Sequence, residues 1–326
     1  MSIGLREGLS IDRRDEIIRV LPGNIRKLIT FIYEFDDIYE IRIRVNAPVI
    51  ICYAKGEFFV SKNGGITKEV SNAYHTTRDD INEALEYISD YSMYAFEEEV
   101  RQGFITIMGG HRVGVAGKTV LDEGKIKSMK HISYINLRIA HEIKGCSDKV
   151  LPYIAFEEES SIYNTLIISP PGCGKTTMLR DIIRQISNGN RFFPGMSVAV
   201  VDERSEIAAC YMGVAQNDVG VRTDVLDCCP KSEGMMMLIR SMSPKVVAMD
   251  EIGSKEDIFA LTYAANCGCK LIATAHGSNM AELLNKPLIG NLIKNKMFDR
   301  YIVLNRKNGC GSIKGIYDSR GSGLDY

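Results

Sequence analysis

The sequence lacks the residue patterns that build a structural zinc site or a disulfide framework. Its nine cysteines are scattered along 326 residues without a CxxC pair, and none of its five histidines completes a paired-cysteine pattern. Structural zinc ligands normally come as closely spaced pairs of cysteine and histidine. An odd cysteine count in a chain of this length is typical of a reducing compartment. The composition therefore argues against zinc and against disulfide bonds.

Long apolar runs and an excess of one charge are also missing. Forty basic and 41 acidic residues give a formal net charge of −1, so nothing global attracts the chain to nucleic acid or to an anionic membrane. The first twenty residues, MSIGLREGLSIDRRDEIIRV, carry charges throughout, and no later run approaches the roughly 18 apolar residues of a membrane span. We expect a cytoplasmic protein that reaches a membrane only through a partner.

Residues 1–145 predict a small α+β domain. The segment 39–45, YEIRIRV, alternates apolar and charged side chains, which is the period of a half-buried strand. Residues 77–91 carry apolar side chains at helical spacing behind a threonine that can cap the helix. Further strands are predicted over residues 49–53, 103–107, 113–115 and 132–139. Short strands with few helices indicate the α+β class.

Residues 146–326 predict an α/β domain with a mostly parallel sheet. Here near-continuous runs of valine, isoleucine and alanine alternate with helical segments. Such runs are typical of strands that helices cover on both faces of a sheet. The predicted strands are residues 165–169, 198–202, 246–250, 271–274 and 301–305.

A phosphate-binding loop is predicted where the first of these strands meets a helix, in SPPGCGKTT at residues 169–177. Glycines there permit the backbone to wrap a phosphate, Lys175 reaches the β and γ phosphates, and the Thr176 hydroxyl completes a magnesium shell. Ser169 stands where the usual pattern has glycine, but serine is small enough to leave the strand. The predicted nucleotide-binding residues are Pro171, Gly172, Cys173, Gly174, Lys175, Thr176 and Thr177.

Paired acids follow a second apolar strand, in VVAMDE at residues 246–251. Asp250 is the candidate magnesium ligand, and Glu251 is the candidate base that polarises water for in-line attack. The alternative is that both acids only cap the next helix.

Two more strands end in polar residues. In VVDERSE, Glu203 is a second candidate base, although three acids around one arginine also describe a solvated ion-pair cluster. In ATAHGSN, Thr274 and His276 are candidate sensors of the γ phosphate, and a histidine at a strand end can also be structural.

Taken in order, these motifs resemble the Walker A, Asp box, Walker B and His box of the type II and type IV secretion ATPases. YEIRIRVNAPV resembles the start of the N-terminal domain of that superfamily. More narrowly, GGHRVGVAGK and DVGVRTDVLDCCPKSEGMMMLIRSMSPKV resemble a family of stage III sporulation proteins from endospore formers. The resemblance covers most of the chain.

The resemblance implies a RecA-like P-loop ATPase domain preceded by a smaller α+β N-terminal domain. It implies ATP and Mg²⁺ as cofactors, with nucleotide between the two domains of subunits in a hexameric ring. It also implies a membrane protein of a sporulation export complex as partner, on the mother-cell side, and no direct nucleic acid. Many secretion ATPases have Gly-Glu where this chain has Asp250-Glu251. A carboxylate is thus available to magnesium, and the choice of base between Glu203 and Glu251 stays open.

Arginines outside the loop can supply the positive charge that phosphoryl transfer needs, from a neighbouring subunit or from the other domain. Similar ATPases place such arginines near the end of the N-terminal domain, where this chain has Arg112 and Arg138. Arg222 is a third candidate. Each can equally be an ordinary surface arginine.

Two other functions are compatible with such a domain. One is a nucleic-acid translocase, although no dense basic stripe interleaved with aromatic residues is present. The other is a scaffold in which nucleotide holds a ring together without hydrolysis. The run Met235-Met236-Met237 is interpreted as part of a buried helix face, because methionine more often fills core gaps than binds partners.

Overall fold

The computed structural model describes residues 13–92, 97–306 and 311–325. The chain divides into two compact units, of which the first ends at His141 and the second begins at Glu142. Each unit is built around its own sheet.

The first unit contains four α-helices and seven strands among its described residues. In chain order these are α1 (Arg13–Arg19), α2 (Gly23–Ile29), β1 (Ile38–Arg44), β2 (Ile50–Tyr53), β3 (Gly56–Val60), β4 (Ile66–Thr67), α3 (Arg78–Ile88), α4 (Glu97–Gln102), β5 (Phe104–Thr106), β6 (Arg112–Asp122) and β7 (Lys125–Arg138). The strands form one antiparallel sheet in the order β4-β3-β2-β1-β7-β6-β5.

Side-chain alternation decides which face of this sheet is covered. Ile41 and Ile43 of β1 are buried in the core of the first unit, to which α1, α2 and α3 contribute further isoleucines. Glu40, Arg42 and Arg44 occupy the alternate positions of β1 and stay partly exposed. The α+β class predicted for this part of the chain is confirmed.

Helix α3 begins where the sequence predicts it. Thr77 Oγ1 accepts the Asp80 N–H at 3.1 Å, and the Asp80 carboxylate accepts the Thr77 N–H at 2.8 Å. These two bonds satisfy two of the N–H groups that a helix start leaves without an internal partner.

The second unit contains six α-helices and ten strands among its described residues. They are α5 (Leu151–Ile154), β8 (Ala155–Phe156), β9 (Ser161–Ile162), β10 (Thr165–Ser169), α6 (Lys175–Asn188), β11 (Val198–Asp202), β12 (Thr223–Asp227), α7 (Lys231–Met242), β13 (Val246–Met249), α8 (Lys255–Asn266), β14 (Lys270–His276), α9 (Met280–Leu284), α10 (Pro287–Lys294), β15 (Arg300–Asn305), β16 (Ser312–Asp318) and β17 (Gly323–Leu324).

Eight of these strands form a sheet in the order β12-β11-β13-β14-β10-β15-β16-β17. The strands from β12 to β15 run parallel, and β16 and β17 extend the sheet in antiparallel fashion. Ile167 faces the core that includes α6, whereas Leu166 and Ile168 face the core that includes α7 and α8. Because both faces are covered, the central strands consist mostly of apolar residues, with polar residues such as Thr165, Ser169 and Thr274 buried among them. The predicted mostly parallel sheet is confirmed.

Three features of the second unit differ from the sequence-based expectations. Strand β12 is only half buried along its length, and its charged residues hide the apolar pattern that predicts a strand. The antiparallel pair β16 and β17 was not expected. In α7, Met235 is fully buried as expected, but Met237 is 58% exposed because it lies on the opposite side of the helix.

Helices of the described part of the chain are all too short or too polar to cross a membrane.

Candidate functional site

The predicted phosphate-binding loop leads from β10 into α6 and depends on its glycines. Gly172 and Gly174 have φ values of +66° and +85°, in the left-handed region that side chains disfavour. A Cβ atom on Gly172 would lie 2.4 Å from the Arg306 Nη2. Both glycines are therefore required by the shape of the loop.

The outer side of the loop is held by the C-terminal part of the chain. Arg306 donates two hydrogen bonds, of 2.9 and 2.7 Å, to the Gly172 carbonyl. The Gly311 N–H donates to the Cys173 carbonyl at 2.8 Å. With these two carbonyls bound on the outside, the loop keeps its curvature. Sequence reasoning missed Arg306, since no motif marks it.

Ser169 is satisfied locally, which explains how it replaces glycine. Its side chain is fully buried, and Oγ donates to the Pro170 carbonyl at 2.9 Å. Its own carbonyl accepts the Gly277 N–H at 3.1 Å. The serine leaves no buried polar group without a partner.

The order of the strands brings the loop and the paired acids together. Because β14 lies between β10 and β13, residues that follow β10 and β13 meet across the carboxyl end of β14. Lys175 is 6% exposed and its Nζ donates to Glu251 Oε1 at 3.0 Å. The Thr176 hydroxyl donates to Asp250 Oδ2 at 2.7 Å.

Strand β14 itself supplies Thr274 to this cluster. Its hydroxyl contacts Asp250 Oδ1 and accepts the Glu251 N–H at 2.9 Å. Thr274 is fully buried, so both bonds are shielded from water. One hydroxyl thus fixes the orientation of Asp250 and of the following peptide group.

The Glu251 carboxylate lies among basic side chains. Besides Lys175, His276 Nε2 lies 2.9 Å from Oε1 and Arg204 donates to Oε2 at 3.2 Å. Burial raises the pKa of Glu251, but Lys175, His276 and Arg204 outweigh burial, and the net pKa is below its ordinary value. Glu251 is therefore ionised at neutral pH and can orient a water molecule. Its φ of +52° is left-handed, which is uncommon for a glutamate.

Asp202 and Glu203, at the end of β11, have different surroundings. The Asp202 carboxylate accepts the N–H groups of Glu206, Ile207 and Ala208 at 2.8 to 2.9 Å, so it organises the turn after the strand. Burial raises the pKa of Asp202 to about 6 against the effect of these bonds. Glu203 is half exposed, and its Oε2 lies 3.4 Å from Lys231 Nζ.

Two of the three candidate arginines lie in the first unit and the third lies in the second unit. Arg112 and Arg138 are direct cross-strand partners in the first unit, and the Arg112 guanidinium lies 3.5 Å from the centre of the Phe104 ring. Arg138 also lies opposite Glu40 of β1, so its charge has an opposite partner in the same sheet. In the second unit, Arg222 donates to the Ser187 carbonyl, near the end of α6 remote from the phosphate loop. Arg222 therefore does not reach the phosphate loop of its own chain.

The donor set suits magnesium bound to a nucleotide. In the described ranges, no group of three or more histidine, cysteine, aspartate or glutamate side chains is arranged to hold a metal ion by itself. Magnesium favours oxygen ligands and commonly binds through one carboxylate together with substrate phosphates. Thr176 Oγ1 and Asp250 supply the protein oxygens, and the glycine cradle lies beside them. The residues present therefore fit both a magnesium ion and the phosphates of a nucleotide.

Solved structures show which fold this chain has. The pilus retraction motor PilT with bound ADP superposes with a TM-score of 0.58 at 15% identity, over 88% of this chain and 77% of that one. The ATPase DotB from Legionella pneumophila superposes with a TM-score of 0.52 at 16% identity, over 82% of this chain and 72% of that one. The chain has the RecA-like fold of the secretion ATPases.

Sequence comparison then identifies the family. Residues 11–324 match the family model "Sporulation stage III, protein AA". The stage III sporulation protein AA of Bacillus subtilis (strain 168) is 41% identical over 312 residues, which cover 95% of this chain and 97% of that protein. The chain belongs to the sporulation stage III protein AA family.

Proposed function

We propose that this chain binds and hydrolyses ATP with Mg²⁺ and is the cytoplasmic motor or assembly ATPase of a sporulation export complex. The observation that carries the proposal is the convergence of Lys175, Thr176, Asp250 and Glu251 at one edge of a parallel sheet. These four residues come from two segments far apart in sequence. The family and the fold of the secretion ATPases support the same function.

In this proposal the nucleotide phosphates lie in the loop of residues 171–177, with the backbone N–H groups and the start of α6 directed at them. Lys175 exchanges its contact with Glu251 for the phosphates. Thr176 and Asp250 would hold the metal ion, which would neutralise phosphate charge when bound.

Glu251 is the proposed base because its carboxylate is ionised and its main chain is fixed on both sides. Glu203 is the alternative base. His276 and Thr274 border the γ-phosphate position, and His276 Nδ1 is buried without a hydrogen-bond partner in the described ranges. Arg112 and Arg138 would supply positive charge from the first unit. Arginine guanidinium groups bind phosphate oxygens through charge-assisted hydrogen bonds.

The proposed assembly is a homo-oligomeric ring, expected to be a hexamer, docked on a membrane protein of the export complex on the mother-cell side. The test is steady-state Mg-ATP hydrolysis across a protein concentration series, beside Lys175→Ala and Glu251→Gln. Lys270→Met is the control, since Lys270 pairs with Glu159 where β14 begins, away from the site.

We expect turnover per subunit to rise with concentration, and to fall at least about 100-fold in both site variants but not in the control. Unchanged turnover in Lys175→Ala would exclude this site. ATP binding without turnover would favour the scaffold function instead. Turnover that DNA stimulates with a steep salt dependence would favour a translocase.

A further inference from the structure

Lys231 is a largely buried lysine to which the mechanism above gives no role. It is the first residue of α7, and its side chain is only 14% exposed. A cation at a helix N-terminus faces the positive end of the helix dipole, which is unfavourable. The stability of α7 therefore does not explain a lysine at this position.

Lys231 contacts both candidate bases, in different ways. Its Nζ donates to the main-chain carbonyl of Glu251 at 2.9 Å and lies 3.4 Å from Oε2 of Glu203. The same ammonium lines a cavity between the ends of β11 and β13, together with Asp202 and Asp250. It therefore links the Asp box to the Walker B turn.

The hydrogen bond from Lys231 is made to a residue whose backbone conformation is strained. With φ at +52°, Glu251 is in a left-handed conformation that costs a non-glycine residue about 1 kcal/mol. Its N–H is bound by Thr274 and Asp250, and its carbonyl is bound by Lys231. Strained residues persist where their surroundings fix them, and these bonds fix the peptide groups on both sides of Glu251.

We propose that Lys231 is a positioning residue that holds Glu251 in its left-handed conformation, and that Glu203 is the counter-charge of Lys231 rather than the base. This inference rests on the proposed ATP hydrolysis. The left-handed turn directs the Glu251 carboxylate at Lys175 and His276, next to the phosphate loop. Without the Lys231 bond the turn can relax, and a carboxylate displaced by about 1 Å loses about 100-fold in rate.

The experiment is a double-mutant cycle on turnover with Lys231→Met and Glu203→Gln, beside Lys231→Arg, wild type and Lys175→Ala. We expect Lys231→Met to lower kcat by about 10- to 100-fold. KM for ATP and the Kd of a fluorescent ATP analogue should stay within about threefold, because the phosphate loop is unchanged. Lys231→Arg retains a donor and should recover part of the rate. Lys270→Met controls for the loss of a lysine from a lysine–glutamate pair in the same unit.

Glu203→Gln alone should lower kcat by at most about threefold. On the Lys231→Met background it should not lower kcat further, since both changes act on one contact. A loss of about 100-fold in Glu203→Gln, repeated on the Lys231→Met background, would make Glu203 the base and overturn the proposal. A Lys231→Met enzyme with wild-type kcat, whatever its KM for ATP, would also overturn it. If the wild type hydrolyses ATP and Lys175→Ala abolishes that turnover, the proposed function stands even when the role of Lys231 is refuted. If the wild type shows no turnover, both the proposed function and the role of Lys231 are refuted.

Discussion

Replacing Thr274 by valine removes one hydroxyl from the centre of the site and leaves the shape of the side chain unchanged. That hydroxyl is fully buried and bonds both the Asp250 carboxylate and the Glu251 N–H. A buried group that loses its partner costs about 1–3 kcal/mol, and more if it is charged. The Glu251 N–H keeps a bond of 3.1 Å to Asp250 Oδ1, so its own loss is partial. We therefore expect Thr274→Val to lower the free energy of unfolding of the second unit by about 2–4 kcal/mol.

Thr165→Val is the matched control for this variant. Thr165 is equally buried, lies at the start of the neighbouring strand β10, and makes one side-chain bond of 2.8 Å, to the Tyr163 carbonyl. Its replacement should cost about 1 kcal/mol. Denaturant unfolding measures both variants, and Mg-ATP turnover should fall about tenfold or more in Thr274→Val alone, because Asp250 and Glu251 lose their orientation. Equal stability of the two variants, or turnover in Thr274→Val that matches the control, would refute this reasoning.

Two further predictions concern the phosphate loop and the first unit. Gly172→Ala places an alanine in a left-handed conformation against Arg306, so we expect nucleotide affinity to weaken at least about tenfold in a fluorescence titration. Gly268→Ala is the control, because Gly268 also has a positive φ, of +83°, but no atom lies within 4 Å of the added Cβ. It should cost about 1 kcal/mol of stability and leave nucleotide affinity unchanged. His111 is buried, with Arg13 and His141 nearby, and its pKa is lowered to about 4. The unfolded state therefore binds more protons as the pH falls from 6.5 towards 4, and the free energy of unfolding should fall with the pH. The Glu16 carboxylate, 3.3 Å from His111 Nε2, opposes this shift and reduces its size. His111→Gln should lack this component in unfolding experiments across the window, and an identical pH dependence in both proteins would contradict it.

Several features could be predicted because the responsible residues are contiguous. The phosphate loop needs a strand, two glycines, a lysine and a threonine in one short segment, and the start of α3 needs Thr77 and Asp80 three positions apart. The parallel sheet could be predicted because strands buried on both faces appear as near-continuous apolar runs in the sequence. Strand β12 could not, because a half-buried edge strand tolerates charged residues that remove the pattern.

The sequence by itself thus determined the fold class, the loop and the acids at the strand ends, because each depends on local spacing. Only the tertiary structure decided which residues surround them. Arg306 meets Gly172 across 134 positions, and Lys231 meets Glu251 across 20 positions, through bonds to main-chain carbonyls that no side-chain pattern records. The left-handed turn at Glu251 is equally hidden, since glutamate has no local preference for it. These contacts arise from the order of strands in the sheet, which crossover connections set over long sequence distances.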